Sequence, residues 1–306
     1  MKQFYKNLLS TIQYFGLFLM ILEACSLNGL RAQDTTAIKP ALVSGFKPVK
    51  NTFDGSLLID NQTCMVPFKN TLEFVIQHRF GLVNNGYKDL YGIFAPANIR
   101  LGFNFTPVNN LSVSVGICKE KMQWDCNIKW AIVKQSQRGF PLSITYYGDV
   151  AIDTRPKEGN FVTDADRLSY FNQLMIARKI TEHLSLQVSP SYTHFNNVDG
   201  YINSEGSISP KMKNDHFAIA FMGRLKFSER VGIIADYDQP LTQHPTNNPH
   251  PNVSFGIEIG TISHSFQIFV TNYHSIIPQS NNFYNQNDYS KGQFMIGFNI
   301  TRKWHF

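Results

Sequence analysis

Beyond residue 32 the sequence has no apolar run near the roughly 18–20 residues that a membrane helix requires. That excludes a helix-anchored protein past that point. Cysteine is scarce: four in 306 residues, of which Cys64, Cys118 and Cys126 lie past residue 32. An odd trio is no disulfide framework, and no cysteine pair has a zinc-type spacing. Charged residues make up 16% of the chain, and 28 Lys+Arg against 22 Asp+Glu leave a formal +6. No basic run or aromatic–basic stripe concentrates that charge, which argues against a nucleic-acid partner. Glycine-rich phosphate loops after a strand are missing too.

A catalytic constellation is equally hard to find. "SHSF" (Ser263 to Phe266) and "YHSI" (Tyr273 to Ile276) set His beside Ser. Neighbouring strand residues point to opposite faces, so neither pair can serve as base and nucleophile together. In "HPTNNPHP", His244 and His250 have no third ligand at a metal-binding spacing. The expectation is a protein that is not an enzyme and needs neither cofactor nor metal.

What the sequence does have begins with an export signal over residues 1–32. Lys2 and Lys6 precede the apolar "FGLFLMIL", and Leu30-Arg31-Ala32 offers a small-residue cut. Lipoprotein processing at Cys25 is the alternative, and Glu23 disfavours it. Period-two alternation then dominates. "LEFVIQHRF" (Leu72 to Phe80), "NIRLGFNFT" and "LSVSVGI" set apolar residues in one register and polar residues in the other. About twelve such segments follow one another, ending with "GQFMIGFNITRKWHF". Short links, such as those at Pro107, Glu182 and Ser228, alternate with long ones, over 81–97, 153–167, 195–214, 238–251 and 272–291. The link near Glu120 is the exception. Segregated loop lengths and an even strand number are the marks of a transmembrane barrel, with tight periplasmic turns and exposed outer loops. The fold expected is all-β: an antiparallel transmembrane β-barrel over 71–306, preceded at 33–70 by a periplasmic segment or partial plug.

"KPVKNTFDGSLLIDNQT", "LEFVIQHRFG", "ANIRLGFNFT" and "KWAIVKQ" resemble an exported β-barrel family of Gram-negative bacteria, a domain of unknown function. The resemblance implies an outer-membrane barrel and supplies no activity. "TPVNNL" stands where that family would place a glycine-rich turn.

In a lipid-embedded barrel the apolar register meets lipid and the polar register lines the lumen. Extending the alternation, Glu73, Arg79, Arg100, Asp125, Lys129, Asp149, Arg224, Asp236 and Glu258 line the interior. These charges either pair across a filled interior or line a narrow conduit for small polar solutes. Phe298, Trp304 and Phe306, on the apolar register of the last segment, are expected to form the signal read by the barrel insertion machinery and the seam with Leu72–Phe80. Cys118 and Cys126 flank a hairpin but fall in opposite registers, so a bridge needs a bulge. Asp54-Gly55 is the expected turn of the segment before the barrel. The long links, "NYHSIIPQSNNFYNQNDY" among them, are expected to be surface-exposed. The expected role is an outer-membrane barrel, structural or a narrow pore, with lipid as its surroundings. Membership of a larger envelope or secretion machine, with partners on the long loops, is the alternative.

Overall fold

The computed structural model describes residues 48–306. The expected signal segment, with its cleavage alternatives at Ala32 and Cys25, lies outside the described residues. Twelve strands form one closed barrel. They are β1 (Thr71–Leu82), β2 (Asn98–Val108), β3 (Leu111–Cys118), β4 (Gln123–Val133), β5 (Ser143–Asp153) and β6 (Leu168–Lys179). The chain continues through β7 (Leu184–Phe195), β8 (Asp215–Lys226), β9 (Val231–Pro240), β10 (Asn252–Gly260), β11 (His264–Thr271) and β12 (Met295–His305). Each strand pairs antiparallel with the next, and β12 returns to β1, with Trp304 opposite Leu72 and Phe298 opposite His78. Closure leaves no edge strand whose N–H and C=O groups would lack partners in hydrocarbon.

Every second residue of β1 is buried: Thr71, Glu73, Val75, Gln77, Arg79 and Gly81. The alternation holds around the ring, but its sense is the reverse of a soluble domain. Glu73, Thr145, Ser189 and Thr271 are fully buried, while Phe103, Val115, Phe255 and Ile268 are 49%, 49%, 57% and 62% exposed. A water-soluble sandwich buries its apolar register. The exposed apolar band and polar interior belong to a barrel whose outer solvent is lipid. No helix among the described residues is long and apolar enough to cross a membrane.

Short turns join β2–β3, β6–β7, β8–β9 and β10–β11, and the longer link 134–142 joins β4–β5, at the end of the barrel where β1 starts. At "TPVNNL" the β2–β3 ladder shifts register between Phe105 and Val108, and Asn110 takes a left-handed φ of 70°. Asparagine tolerates that conformation, so the turn closes without the glycine the family resemblance leads one to expect. The connections at the opposite end are long except that between β3 and β4, which is one turn of 3-10 helix, Glu120–Met122.

Candidate functional site

The barrel interior is occupied from both ends. From the short-turn end, residues 53–66 run inside the wall, and Leu57–Leu58 pairs with Asn61–Gln62 as a two-stranded hairpin. Its turn is Ile59-Asp60, not the expected Asp54-Gly55. Ile59 sits at φ 59°, a conformation that a β-branched residue rarely adopts. Three wall side chains hold it there. Gln267 accepts from Ile59 N–H at 3.0 Å, while Asn299 Nδ2 and Arg79 Nη2 donate to its carbonyl at 2.5 and 3.3 Å. Strain of about 1–3 kcal/mol per such residue persists only where surroundings over-determine it, and here they do.

The rest of the hairpin is fastened the same way, backbone to wall. Gln267 Nε2 donates to Leu57 O (3.0 Å), Lys129 Nζ to Ser56 O (2.7 Å) and Gln187 Nε2 to Gln62 O (2.8 Å). Cys64 N–H donates to Gln187 (2.9 Å), and Thr145 Oγ1 donates to Cys64 O (3.1 Å). Apolar side chains add a second grip: Phe53, Leu58 and Ile59 pack with Ala177, Met222, Ile234 and Phe269 of the wall. A short strand pair with exposed N–H and C=O groups cannot be left unsatisfied in a closed interior. Glutamines, each offering both a donor and an acceptor, satisfy it.

From the other end, the β11–β12 connection folds inward. Pro278 starts helix α1 (Pro278–Tyr284), whose Gln279, Ser280, Asn281, Asn282 and Phe283 are buried. This overturns the expectation that 272–291 is surface-exposed; Asn282 is only 3% exposed. The physical reason is composition: its Asn and Gln side chains can satisfy a polar interior. Ile276 and Ile277 meanwhile pack beside Cys118 and Ala151. Gln279 donates to Asp149 (3.0 Å), and Phe283 packs against Phe195, with ring centroids 4.6 Å apart and planes tilted by 50°.

All nine side chains assigned to the interior are buried. Arg100 meets Asp125 through two hydrogen bonds, 2.8 Å from Nε and 2.5 Å from Nη2. Arg224 bonds Glu258 at 2.6 Å and also reaches Asp54 of the inserted segment. Glu73 accepts from Ser56 of that segment at 2.6 Å, and Asp149 from Tyr147 at 2.9 Å. Arg79 lies 4.5 Å above the Phe269 ring, and Asp236 accepts from Asn61 at 3.0 Å. Most of these charges therefore clasp an inserted segment, while Arg100 and Asp125 pair within the wall.

Several residues that matter were not found by reading the sequence: Gln187, Gln267, Asp238, Tyr273 and Asn281. Asp238 alone carried a signal, standing two residues from Asp236 and so on the same face. Phe298 lies on the outer face, where its ring stacks on His78 at 4.9 Å. Trp304 lies beneath Arg302 at 4.9 Å, and Phe306, 76% exposed, donates its N–H to Asn70 O. Cys118 points inward and pairs in register with Gln123, while Cys126 is exposed opposite Val115. All three described cysteines are free thiols. His264 and Ser265 fall on opposite faces, Ser265 inward and buried.

No curated protein matches the chain. Among solved structures it is similar to the NanC porin, at 8% identity and a TM-score of 0.46 over 77% of this chain and 99% of that one. It is also similar to the KdgM porin, at 10% identity and a TM-score of 0.42 over 77% and 99%. A third is an outer membrane channel from Pseudomonas putida, at 9% identity and a TM-score of 0.41 over 78% and 97%. A family model described as "Membrane bound beta barrel domain" (DUF5777) matches residues 53–304, which includes the inserted hairpin as well as the strands, and the chain belongs to that family.

Proposed function

We propose that the protein is an outer-membrane barrel that rests closed and passes small polar solutes only when its inserted segments move. One observation carries this: residues 53–66 run through the lumen, with hydrogen bonds to wall side chains from β1, β4, β5, β7, β11 and β12. Those bonds are polar and sit in a polar lumen, so released groups on both sides can exchange their partners for water, as groups in an apolar core cannot. Twelve strands give an interior between the side-chain-filled barrels of eight and the open channels of 16–18. Export and the segregation of tight turns from long loops support the outer membrane, with the tight turns toward the periplasm. In this reading the protein acts as a conduit and not as an enzyme. Phe298, Trp304 and Phe306 serve in this reading as the recognition face for the insertion machinery.

Planar-bilayer recording of the refolded protein tests it. The intact barrel is expected to show no steady conductance, and a variant lacking residues 53–66 to show discrete steps. Steady conductance of the intact barrel sinks the closed state. A silent deletion variant that still inserts and shifts on heating leaves only a structural role. The second reading, a fixed component of an envelope assembly, draws on Tyr87, Phe94, Ile202 and Ile208 of the long loops, 75–83% exposed. Co-purification after cross-linking at Phe94 would favour it.

A further inference from the structure

Where the two insertions meet, the lumen holds three carboxylates. Asp60 is at the hairpin turn, and Asp236 and Asp238 are two apart on β9 and share its inner face. All three are buried, and their ligand atoms lie within 4.8 Å of one another. Among the described residues none of them forms an ion pair; the lumenal cations are spent elsewhere. Arg79, the guanidinium held at the same turn, directs its hydrogen bonds to His78 O, Ile59 O and Asn299. The donors to the carboxylates are neutral. Asn61 Nδ2 serves Asp236 (3.0 Å) and Asp238 (2.8 Å), Asn252 serves Asp238 (3.3 Å), and Tyr273 and Asn281 serve Asp60.

A second observation points at a ligand. Asp236 Oδ1 is buried without a donor, and so is Asn281 Oδ1, on a side chain only 1% exposed. The Asn281 amide already touches Asp60 through Nδ2. Its two ends have nearly the same shape, so a half-turn about the last bond presents the oxygen to the cluster instead. Buried oxygens lacking donors are what a cation requires, and three adjacent carboxylates without a counter-charge are what it relieves.

We propose that Asp60, Asp236 and Asp238, with the carbonyl oxygen of Asn281, hold one calcium ion that fastens hairpin, wall and α1 together. An all-oxygen donor set selects a hard cation. Oxygens on opposite sides of calcium stand about 4.8 Å apart, given ligand distances of about 2.3–2.6 Å; magnesium, at about 2.1 Å, needs a tighter octahedral cage. Calcium against three carboxylates leaves one negative charge on the site. The site goes beyond the closed-barrel reading, and it stands whether or not the barrel conducts.

The test uses the full refolded chain, stripped with a chelator and titrated with calcium chloride by calorimetry. One calcium per barrel is expected, with magnesium binding at least roughly tenfold more weakly. Asp238→Asn and Asp60→Asn should weaken calcium binding roughly 10–100-fold or more. Asn281→Ala, outside the strands and the mildest change, should weaken it less, and heat-modifiability confirms that each variant is folded. Calcium should also raise the melting temperature of the wild type and leave that of Asp238→Asn unmoved. No binding heat, with identical melting in chelator and in calcium, overturns the proposal and leaves protons shared among the carboxylates. Binding unchanged in both Asp variants overturns it too, because the ion would then sit elsewhere.

Discussion

Tyr273 donates its hydroxyl hydrogen to Asp60, and that contact joins segments entering the barrel from opposite ends. Asp60 is the tip of the hairpin that comes in beside the start of β1, while Tyr273 follows β11 at the long-loop end. Both residues are buried. Tyr273→Phe keeps the ring and deletes the donor, leaving a buried carboxylate oxygen without it. A loss of about 1–3 kcal/mol is expected from urea unfolding in lipid vesicles. If the two insertions dock independently, the change should instead be within about 0.5 kcal/mol.

Arg100 and Asp125 form a bidentate pair between β2 and β4, closed off from solvent and capped by Gln77 at 3.0 Å. Breaking one side is much worse than removing both, because a lone buried charge remains. Arg100→Leu is expected to lower stability by about 3–5 kcal/mol, whereas Arg100→Leu with Asp125→Leu recovers most of that loss. A double-mutant cycle by denaturant titration reads the difference. Additive single losses would mean that water reaches the pair.

The barrel was legible in the sequence because its two strongest signals are local. Period two in "LEFVIQHRF" and the shortness of links such as "PVNN" can each be read over a few residues. The inward set, Glu73 through Glu258, followed from the same period. The filling of the lumen was not legible, since Ile59-Asp60 is a poor turn sequence and becomes a turn only through Gln267, Asn299 and Arg79. Those partners are 20 to 240 residues away in the chain. Likewise the Asn-rich stretch around Asn282 reads as a solvated loop, and only an interior lined with polar groups turns it inward.

Phe269 owes its position to two glycines on the strands beside it. Gly256 and Gly297 are its register partners on β10 and β12, and its ring occupies the space a Gly297 side chain would need. A Cβ on Gly297 would stand 2.6 Å from Phe269 Cε2 and 3.0 Å from Arg79 Cδ. Gly297→Ala is therefore expected to push the ring out from under Arg79, lowering stability by about 1–3 kcal/mol by overpacking. Pairing it with Phe269→Leu should restore part of the loss, which a thermal melt of both variants would show. No rescue would indicate that the backbone, and not the ring, is what yields.

His244 ties the long-loop end to acidity. Its Nδ1 accepts from Lys213 N–H at 3.0 Å, so the neutral ring carries its hydrogen on Nε2 and donates it to His216 at 2.9 Å. Phe283 of α1 meets both rings edge-on, at 5.1 and 5.6 Å. Burial, then the nearby Lys213 charge, holds His244 below its ordinary value of 6.5. On acidification the unfolded chain takes up that proton first. Stability is thus unaffected well above pH 6.5 and falls as the pH drops below it toward the lower folded value. Melting temperature against pH should show the decline in the wild type and a shallower one in His244→Gln. Parallel curves would place the titration elsewhere.

The seam between β12 and β1 distinguishes a lipid-facing ring from a core one. Phe298 lies opposite His78, their rings stacked at 4.9 Å and 7° between planes, with Phe80 edge-on to His78 at 4.4 Å. Burying a phenylalanine in a soluble core makes its removal cost about 3–5 kcal/mol, because transfer from water and cavity formation add together. Urea unfolds a barrel into water, so at an outer-face position transfer of the ring from water to lipid still counts, about 1.5–3 kcal/mol for a whole apolar side chain, but lipid fills the gap and the cavity contribution vanishes. The stacking adds about 0.5–1.5 kcal/mol. Phe298→Ala is accordingly expected to cost about 2–3 kcal/mol in vesicles, and Phe298→Leu only about 0.5–1.5 kcal/mol, since it keeps most of the apolar surface and loses the stack. Urea unfolding of the inserted protein measures both. A loss above about 4 kcal/mol for Phe298→Ala would mean that this face packs against protein, as in an oligomer, and not against lipid.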